Sequence, residues 1–577
     1  MKPSDFKRRR TGARLPILLA LVFALLASAA PAARPQARAP QPQGARPRLV
    51  LLIVVDQFRY DYLERFGDLF AAGGLRRLMR EGASWTEANY DHVPTETAPG
   101  HATLMTGAWP AETGIISNEW YDRESNRRIA NSSDPGARLL GGGPSENASS
   151  PRNLLVSTLG DELKLATAGR AKVVGVSIKD RGAILPAGRM ADAAYWYSSQ
   201  TGRFVSSTYY FDRLPDWVTA FGAAHPAGEF YGKTWDRLLD KKEYDLRAGP
   251  DDAPWERGNG KQPTTLPQKI TGGETAPGPA FYEALNYSPF SNDLLVSFAE
   301  EAIRNERLGE DSDTDVLTVS FSANDLVGHR YGPYSHELMD MTVRVDRHIE
   351  RLLSFVDSRV GLRNTLVAFT ADHGVAPFTE HARQLRLPGG YVGTTDLNNA
   401  VRNRLKARFG KGGDKDNTAD YVLAYGNSMF YFNRAALDRD GVRQEDVERV
   451  AGEAAMTVPG VSRFFTRTQL VSGAVSPADA VARRVLHGFN PRRSGDVVII
   501  QEPYKYLTDS TYIAIHGTPY SYDTHVPVIV MGAGVAPGRY AEAASPADIA
   551  PTLARLLRVQ PPSNAMGRVL AEAMIKQ

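Results

Sequence analysis

Apolar positions in this chain come as short unbroken runs rather than in alternation with polar ones. The first, RLVLLIVVD from Arg48 to Asp56, has seven consecutive apolar residues closed by an acid. Runs of this kind predict strands buried on both faces, as in a parallel sheet. The shape recurs in AKVVGVSIKD (171–180), DVLTVSFSAND (315–325), TLVAFTADHG (365–374), DVVIIQEP (496–503) and VPVIVMGAG (526–534). Helical spacing fills several of the gaps. From Ser335 to Val356, residues Leu338, Met341, Val345, Ile349, Leu352, Leu353 and Val356 line one face at three-to-four spacing. Strand–helix alternation predicts an α/β fold, a doubly wound and mostly parallel sheet flanked by helices.

Two intervals break the rhythm. Residues from about 190 to 290 are rich in Tyr, Trp, Gly, Pro and Asp, and those from about 380 to 495 mix helical pattern with loop. Both read as insertions on the sheet, the second as a small subdomain with strands around Tyr421–Phe432. The N-terminus reads as a signal peptide over 1–29: a basic stretch, an apolar stretch from Leu15 to Leu26, then Ala27-Ser28-Ala29. That apolar stretch is short for a membrane span. Residues 30–47, rich in Pro, Ala, Gln and Arg, read as a flexible tether, which leaves 48–577 as the folded domain.

Charge changes the picture once the signal is set aside. Residues 1–29 carry six Lys/Arg and one Asp, so their removal takes the formal charge from +3 to −2. The basic balance therefore gives no ground for nucleic-acid binding. Absence of cysteine excludes disulfides and thiolate metal sites.

Chemistry collects where the apolar runs give out. Asp56, Asp325, Asp372 and His373 each follow such a run, and in an open α/β sheet the ligand crevice lies beyond the carboxyl ends of the strands. Singly, an Asp there is an ordinary helix cap. Crowded together, three carboxylates repel unless cations join them. Asp325 and His329 are four apart, so one helical turn puts them on one face. Carboxylates with imidazoles and no sulfur suit Zn²⁺, with Mn²⁺ the alternative. The stretch VPTETAPGHATLMT (93–106) holds the candidate nucleophile. Pro99 fits a first helical turn, placing Thr97 at or just before a helix N-terminus that favours anions. The plainer alternative is that Thr95 or Thr97 is an N-cap.

Taken together, VVDQFRYDYL, VPTETAPGHATLMTG, SNEWYD, SIKDRGA, SANDLVGHRYGP, TADHGV and HGTPYSYDTHVPVIVMG resemble the alkaline phosphatase superfamily, nearest to the bacterial periplasmic, phosphate-irrepressible type with a threonine nucleophile. The resemblance implies hydrolysis of phosphate monoesters through a phosphothreonine, two Zn²⁺ ions and a periplasmic or secreted monomer. It implies that Asp325, His329 and His516 hold one metal and that Asp56, Asp372, His373 and Thr97 hold the other. Asn118, Lys179 and Arg181 would contact the phosphoryl oxygens. For the last imidazole, His516 is preferred and His525 stays open. His101 is either a general base or a packing residue. If strand geometry persists through VVGVSIKDR, alternation puts Lys179 and Arg181 on one side. The chief rival is a nucleotide pyrophosphatase/phosphodiesterase; a secreted phosphate- or metal-binding protein without turnover is the non-enzymatic one. Sulfatases require a Cys or Ser where this chain has Thr97.

Overall fold

Seven apolar residues in a row need apolar neighbours on both faces, and β1 (Leu49–Val55) has them, with every residue buried. The computed structural model describes residues 46–257, 263–410, 420–510 and 513–575. The expected signal, and the tether apart from Arg46 and Pro47, lie outside the described residues.

The main sheet has ten strands: β1, β2 (Ala83–Ala88), β3 (Leu139–Leu140), β4 (Val173–Ser177), β5 (Ala193–Ser198), β6 (Arg203–Ser207), β7 (Asp315–Phe321), β8 (Thr365–Thr370), β9 (Val528–Met531) and β10 (Gly538–Ala544). Their order across the sheet is β10–β2–β9–β8–β1–β7–β4–β5–β6–β3. The central five, β8 to β5, run parallel. Leu49 pairs with Asp315 on one side and Thr365 on the other, which fixes the register of the middle of the sheet. Because β8, β1, β7 and β4 share a direction, the residues after them emerge along one edge.

The flanks are mixed. β9 pairs antiparallel with β8 and with β2, so the run at 526–534 is a strand of the sheet in the opposite sense to the one expected. The run at 496–503 is a strand as well, but Val497–Gln501 belongs elsewhere. It joins Val422–Gly426, Met429–Phe432 and Val461–Thr466 in a separate four-stranded sheet, which with helices Thr394–Phe409 and Gln444–Ala455 encloses its own apolar cluster. A buried apolar run identifies a strand without saying which sheet buries it. Likewise β5 and β6, inside the interval from about 190 to 290, extend the main sheet.

Three helices carry or adjoin site residues, α1 (Thr97–Thr106), α2 (Asp180–Ala187) and α3 (Ala323–Tyr331), and the long α4 (His336–Arg359) follows α3. All ten residues of α1 are buried. Ser335 caps α4 by accepting the Leu338 N–H, as the start of its apolar pattern predicts. Among the described residues no helix is long and apolar enough to cross a membrane.

Candidate active site

Thr97 is the first residue of α1, with Glu96 at the cap position. Close packing sets where it stands. A Cβ on Gly100 would meet the Asp372 carbonyl oxygen at 2.2 Å, so the first turn of α1 lies directly on the loop after β8. Asp372 stands two residues and His373 three residues beyond the end of that strand. Asp56 follows β1 directly. Asp325 and His329 lie one turn apart in α3, and His329 Nε2 is 3.2 Å from Asp325 Oδ1. Gly328, on the same turn, leaves the space that Gln57 Oε1 enters, 1.9 Å from where a Cβ would stand.

These side chains converge. One oxygen or nitrogen from each of Asp325, His373 and His516 falls within 4.8 Å of the others, and the same holds for Asp56, Asp372 and His373. His373 thus belongs to both clusters. Its Nε2 lies 3.5 Å from Thr97 Oγ1 and 3.5 Å from Asp56 Oδ1. The His373 and His516 rings stack at 3.7 Å between centroids, with His329 5.1 Å from His516.

His516 does not end a strand. Its segment docks by hydrogen bonds: Ala514 N donates to His329 O, and His329 Nδ1 bonds Ala514 O. Residues 511–512 of the stretch before it lie outside the described residues. His525 points elsewhere, with Nε2 2.9 Å from Thr86 O and its ring stacked on Tyr60.

The proton positions follow from the acceptors. His329 Nδ1 faces Ala514 O, His373 Nδ1 faces Gly374 O at 2.9 Å, and His516 Nδ1 faces Thr95 O at 2.7 Å. A carbonyl only accepts, so each Nδ1 carries a hydrogen, and each Nε2 is the ring nitrogen turned toward the carboxylates. This is the outer-shell arrangement that fixes the tautomer of metal-binding imidazoles. Burial holds His516 well below its ordinary pKa, helped by the neighbouring imidazoles. Burial also lowers His373, against the pull of Asp372 and Asp325.

The carboxylates have more charge than the protein neutralises. Burial, and then the adjacent Asp372, push Asp56 well above the usual carboxylate range despite Lys179. Asp56 Oδ1 and Asp372 Oδ2 are buried and accept no hydrogen bond. His101 Nδ1 comes within 3.1 Å of Asp372 Oδ2, but its hydrogen is directed at Thr97 O, 2.9 Å away. An unmet buried acceptor costs about 1–3 kcal/mol, more when charged. Two such oxygens beside inward-facing imidazole Nε2 atoms fit divalent cations. His101 Nε2 meets Ser320 Oγ at 2.7 Å, so both ring nitrogens are engaged by the site wall.

Strand geometry does not persist to Arg181. β4 ends at Ser177, Lys179 is the cap residue of α2, and Arg181 lies in its first turn. Alternation therefore does not place the two cations; the helix does. Lys179 Nζ lies 2.7 Å from Asp56 Oδ2, 2.5 Å from Asp325 Oδ2 and 3.5 Å from Thr97 Oγ1. Arg181 keeps a buried Nε without a hydrogen-bond partner. Between them Asp180 accepts hydrogen bonds from Ser132 and Ser149, which anchors the start of α2. Asn118 Oδ1 accepts the Ala98 N–H at 2.9 Å, leaving the amide hydrogens as its outward donors.

Several contributors were not legible in the motifs. Glu96 Oε2 accepts Ser117 Oγ–H at 2.5 Å and Asn118 N–H at 2.8 Å, tying the Asn118 loop to the head of α1. Gln57 donates to Asp325 Oδ1 at 2.6 Å through Nε2 and to Asp372 Oδ1 at 3.0 Å through its main chain. The one available signal was position: each immediately adjoins a residue already singled out.

The chain belongs to the type I phosphodiesterase / nucleotide pyrophosphatase family, whose model matches residues 50–525. It is 35% identical to "Alkaline phosphatase PhoV" of Synechococcus elongatus, over 92% of this chain and 93% of that protein. It is 34% identical to "Alkaline phosphatase PafA" of Elizabethkingia meningoseptica, over 92% and 95% respectively. The crystal structure of wild-type PafA is similar with a TM-score of 0.84 at 33% identity, covering 92% of this chain and all of that one.

Proposed function

We propose that the protein is an exported alkaline phosphatase that hydrolyses phosphate monoesters through a phosphothreonine at Thr97. The observation that carries this is the placement of Thr97. Its hydroxyl stands at a buried helix N-terminus, 3.5 Å from both His373 Nε2 and Lys179 Nζ. The likeness to PhoV and PafA over most of the chain supports the same reading.

Asp325, His329 and His516 would hold one metal, and Asp56, Asp372, His373 and the Thr97 oxygen the other. Two Zn²⁺ ions there would supply Lewis-acid stabilisation of the attacking and leaving oxygens. Thr97 Oγ1 bonds to phosphorus as the ester P–O bond breaks; the leaving oxygen takes that electron pair and, through solvent, a proton equivalent to the one Thr97 loses, and departs as the alcohol. Water then cleaves the phosphothreonine, returning the hydroxyl and releasing phosphate. The first turn of α1 presents free amides to the anion. Arg181 and the Asn118 amide donate to phosphoryl oxygens, and Lys179 balances charge beside Thr97. His101, engaged by Ser320 and Thr97 O, orients the wall and abstracts no proton from the substrate.

Diester hydrolysis is the second reading, favoured by the matching family being described by its phosphodiesterases. The test is metal analysis of the protein together with rates on an aryl phosphate monoester, a bis-aryl phosphodiester and an aryl sulfate. Monoester turnover well above the other two supports the proposal; diester turnover above monoester overturns it. Export from the 1–29 signal and a monomeric state belong to the same proposal.

A further inference from the structure

The imidazole of His516 comes from a segment with no helix or strand of its own, so something else must aim it. Its nearest anchor is Thr95 O, the 2.7 Å acceptor for Nδ1. Thr95 is itself held: its Oγ1 donates to Thr518 O at 2.9 Å. Thr518, two residues beyond His516, is held in turn by Asp523. Asp523 Oδ2 accepts the Thr518 main-chain N–H at 2.8 Å and its hydroxyl at 2.7 Å. Asp523 is fully buried, as is Thr95, and Thr518 is nearly so. The main chain around Asp523 reaches two more site loops. Asp523 O accepts the N–H of Gly374, next to His373, at 2.7 Å, and Thr524 O accepts that of Tyr90 at 2.9 Å.

We propose that Asp523 is a positioning residue for the metal centre: through Thr518 and Thr95 it fixes the carbonyl that orients His516 and sets the distance between the His516 and His373 loops. The proposal rests on the metal-binding part of the function above. The chain of bonds is short and closed. His516 bonds Thr95, Thr95 bonds Thr518, and Thr518 returns to His516 through two peptide units. A ring of this kind leaves the imidazole one direction for Nε2. Buried hydrogen-bond networks rigidify what they hold, and Asp523 is the hub of this one: Oδ2 accepts both hydrogen bonds from Thr518, while Oδ1 is buried without a partner. Removing Asp523 frees the Thr518 hydroxyl and N–H together, and the loop can then turn without breaking any bond to the metal ligands themselves. Outer-shell partners of ligating imidazoles typically contribute 10–100-fold in metal affinity or activity.

The experiment uses the full chain loaded with zinc, and compares Asp523→Ala, Asp523→Asn and Thr95→Val with the parent. Zinc affinity and stoichiometry are read by competition with a chromophoric chelator, and folding by the melting temperature after chelation. Asp523→Ala is expected to bind one of two zinc ions on the order of 10–100-fold more weakly. Asp523→Asn, whose amide oxygen can take both hydrogen bonds, should stay within a few-fold of the parent. Thr95→Val, which removes one hydroxyl and keeps the carbonyl, should show the same selective loss as Asp523→Ala at smaller size. It also covers the case in which Asp523→Ala does not fold. Parent-like affinity for both ions in Thr95→Val, or equal weakening of both ions in Asp523→Ala and Asp523→Asn, overturns the proposal. A parent that binds two zinc ions yet leaves aryl phosphate uncleaved refutes the function and not the clamp.

Discussion

Lys179 places its Nζ 2.7 Å from Asp56 Oδ2, so the ammonium lies on the carboxylate that follows β1. Burial opposes its charge, but Asp325 and Asp56 hold the ammonium protonated beyond its ordinary range. A cation so placed serves the carboxylates as well as any phosphoryl group. Arg181, which is hydrogen-bonded to neither Asp56 nor Asp325, therefore offers the cleaner test of the proposed phosphoryl contact.

A monoester has an unesterified charged oxygen that a diester lacks. Charge-assisted hydrogen bonds contribute roughly 1.5–3 kcal/mol each, and about 1.4 kcal/mol is tenfold in rate. Arg181→Ala is expected to lower kcat/KM for an aryl phosphate monoester by about tenfold or more, and the Lys179→Ala/Arg181→Ala pair by on the order of a hundredfold or more. Diester efficiency should fall much less in Arg181→Ala. If the monoester-to-diester ratio does not move in that variant, Arg181 does not read the third oxygen.

Thr97→Ala removes the one hydroxyl at the start of α1 within reach of both His373 and Lys179. Turnover of the monoester is expected to vanish while zinc content stays near that of the parent, because the carboxylates and imidazoles remain. Thr97→Ser should keep part of the activity. Mass spectrometry of acid-quenched Thr97→Ser during turnover should find phosphate on residue 97; phosphate on another residue would reassign the nucleophile.

Gly100 tests whether the close approach of α1 to the Asp372 loop matters. A Cβ there would stand 2.2 Å from Asp372 O and 2.7 Å from Asp372 Cβ, and backbone cannot give way as a flexible side chain can. Gly100→Ala is expected to destabilise by about 1–3 kcal/mol through overpacking and to depress kcat further by shifting Thr97 against His373. Unchanged kcat in a destabilised Gly100→Ala would show that the helix start tolerates displacement.

How far the sequence could be read differs between fold and site. The strand at Leu49–Val55 was legible because seven buried apolar residues admit few other states, and Asp325 with His329 because one helical turn joins them. Val497–Gln501 looked the same as a main-sheet strand and pairs with Met429–Phe432 instead, since periodicity carries no address. The start of α2 was hidden because its anchor is not local. Asp180, the first residue of α2, accepts hydrogen bonds from the hydroxyls of Ser132 and Ser149, residues far away in sequence. His516 could be chosen over His525 only by resemblance, because its position depends on Ala514 and Thr95 rather than on a strand.

Metal removal should act on stability as well as rate. Asp56 Oδ1 and Asp372 Oδ2 are buried without hydrogen bonds, and cations that meet them bind the folded chain alone, stabilising it by mass action. Chelation is expected to inactivate the protein and lower its melting temperature, with zinc restoring both. Asp372→Asn, which removes one ligand charge, should lose zinc more readily and gain less in melting temperature from added zinc. Full activity in exhaustively chelated protein with no residual metal would falsify the metal-dependent mechanism.

A pH-dependent contact joins the subdomain side of the chain to the loop before α1. Helix Ala480–Gly488 reaches Asp91, six residues before Thr97, through Arg483 and His487. Arg483 Nε and Nη2 lie 2.8 and 3.0 Å from the Asp91 carboxylate, and His487 Nδ1 lies 3.3 Å from Asp91 Oδ2. Although partial burial works the other way, His487 and Arg483 hold Asp91 down to about 2. Against its own partial burial, Asp91 raises His487 above its ordinary value. A depressed carboxylate stabilises the fold above its unfolded pKa of 3.8 and loses that contribution as pH falls through about 2. A raised imidazole stabilises it below its unfolded pKa of 6.5 and loses that contribution as pH rises through the folded value. Both terms are present together between about pH 4 and 6.5. Solvent screening of this half-buried cluster leaves on the order of 1 kcal/mol. Asp91→Asn removes both terms, so its melting temperature should trail the parent most within that window. The gap should narrow toward pH 2 and, above 6.5, shrink to the part that Arg483 supplies. Melting curves of the two proteins in matched buffers from pH 3 to 9 decide it: a gap that stays constant across the range would mean that His487 does not sense Asp91.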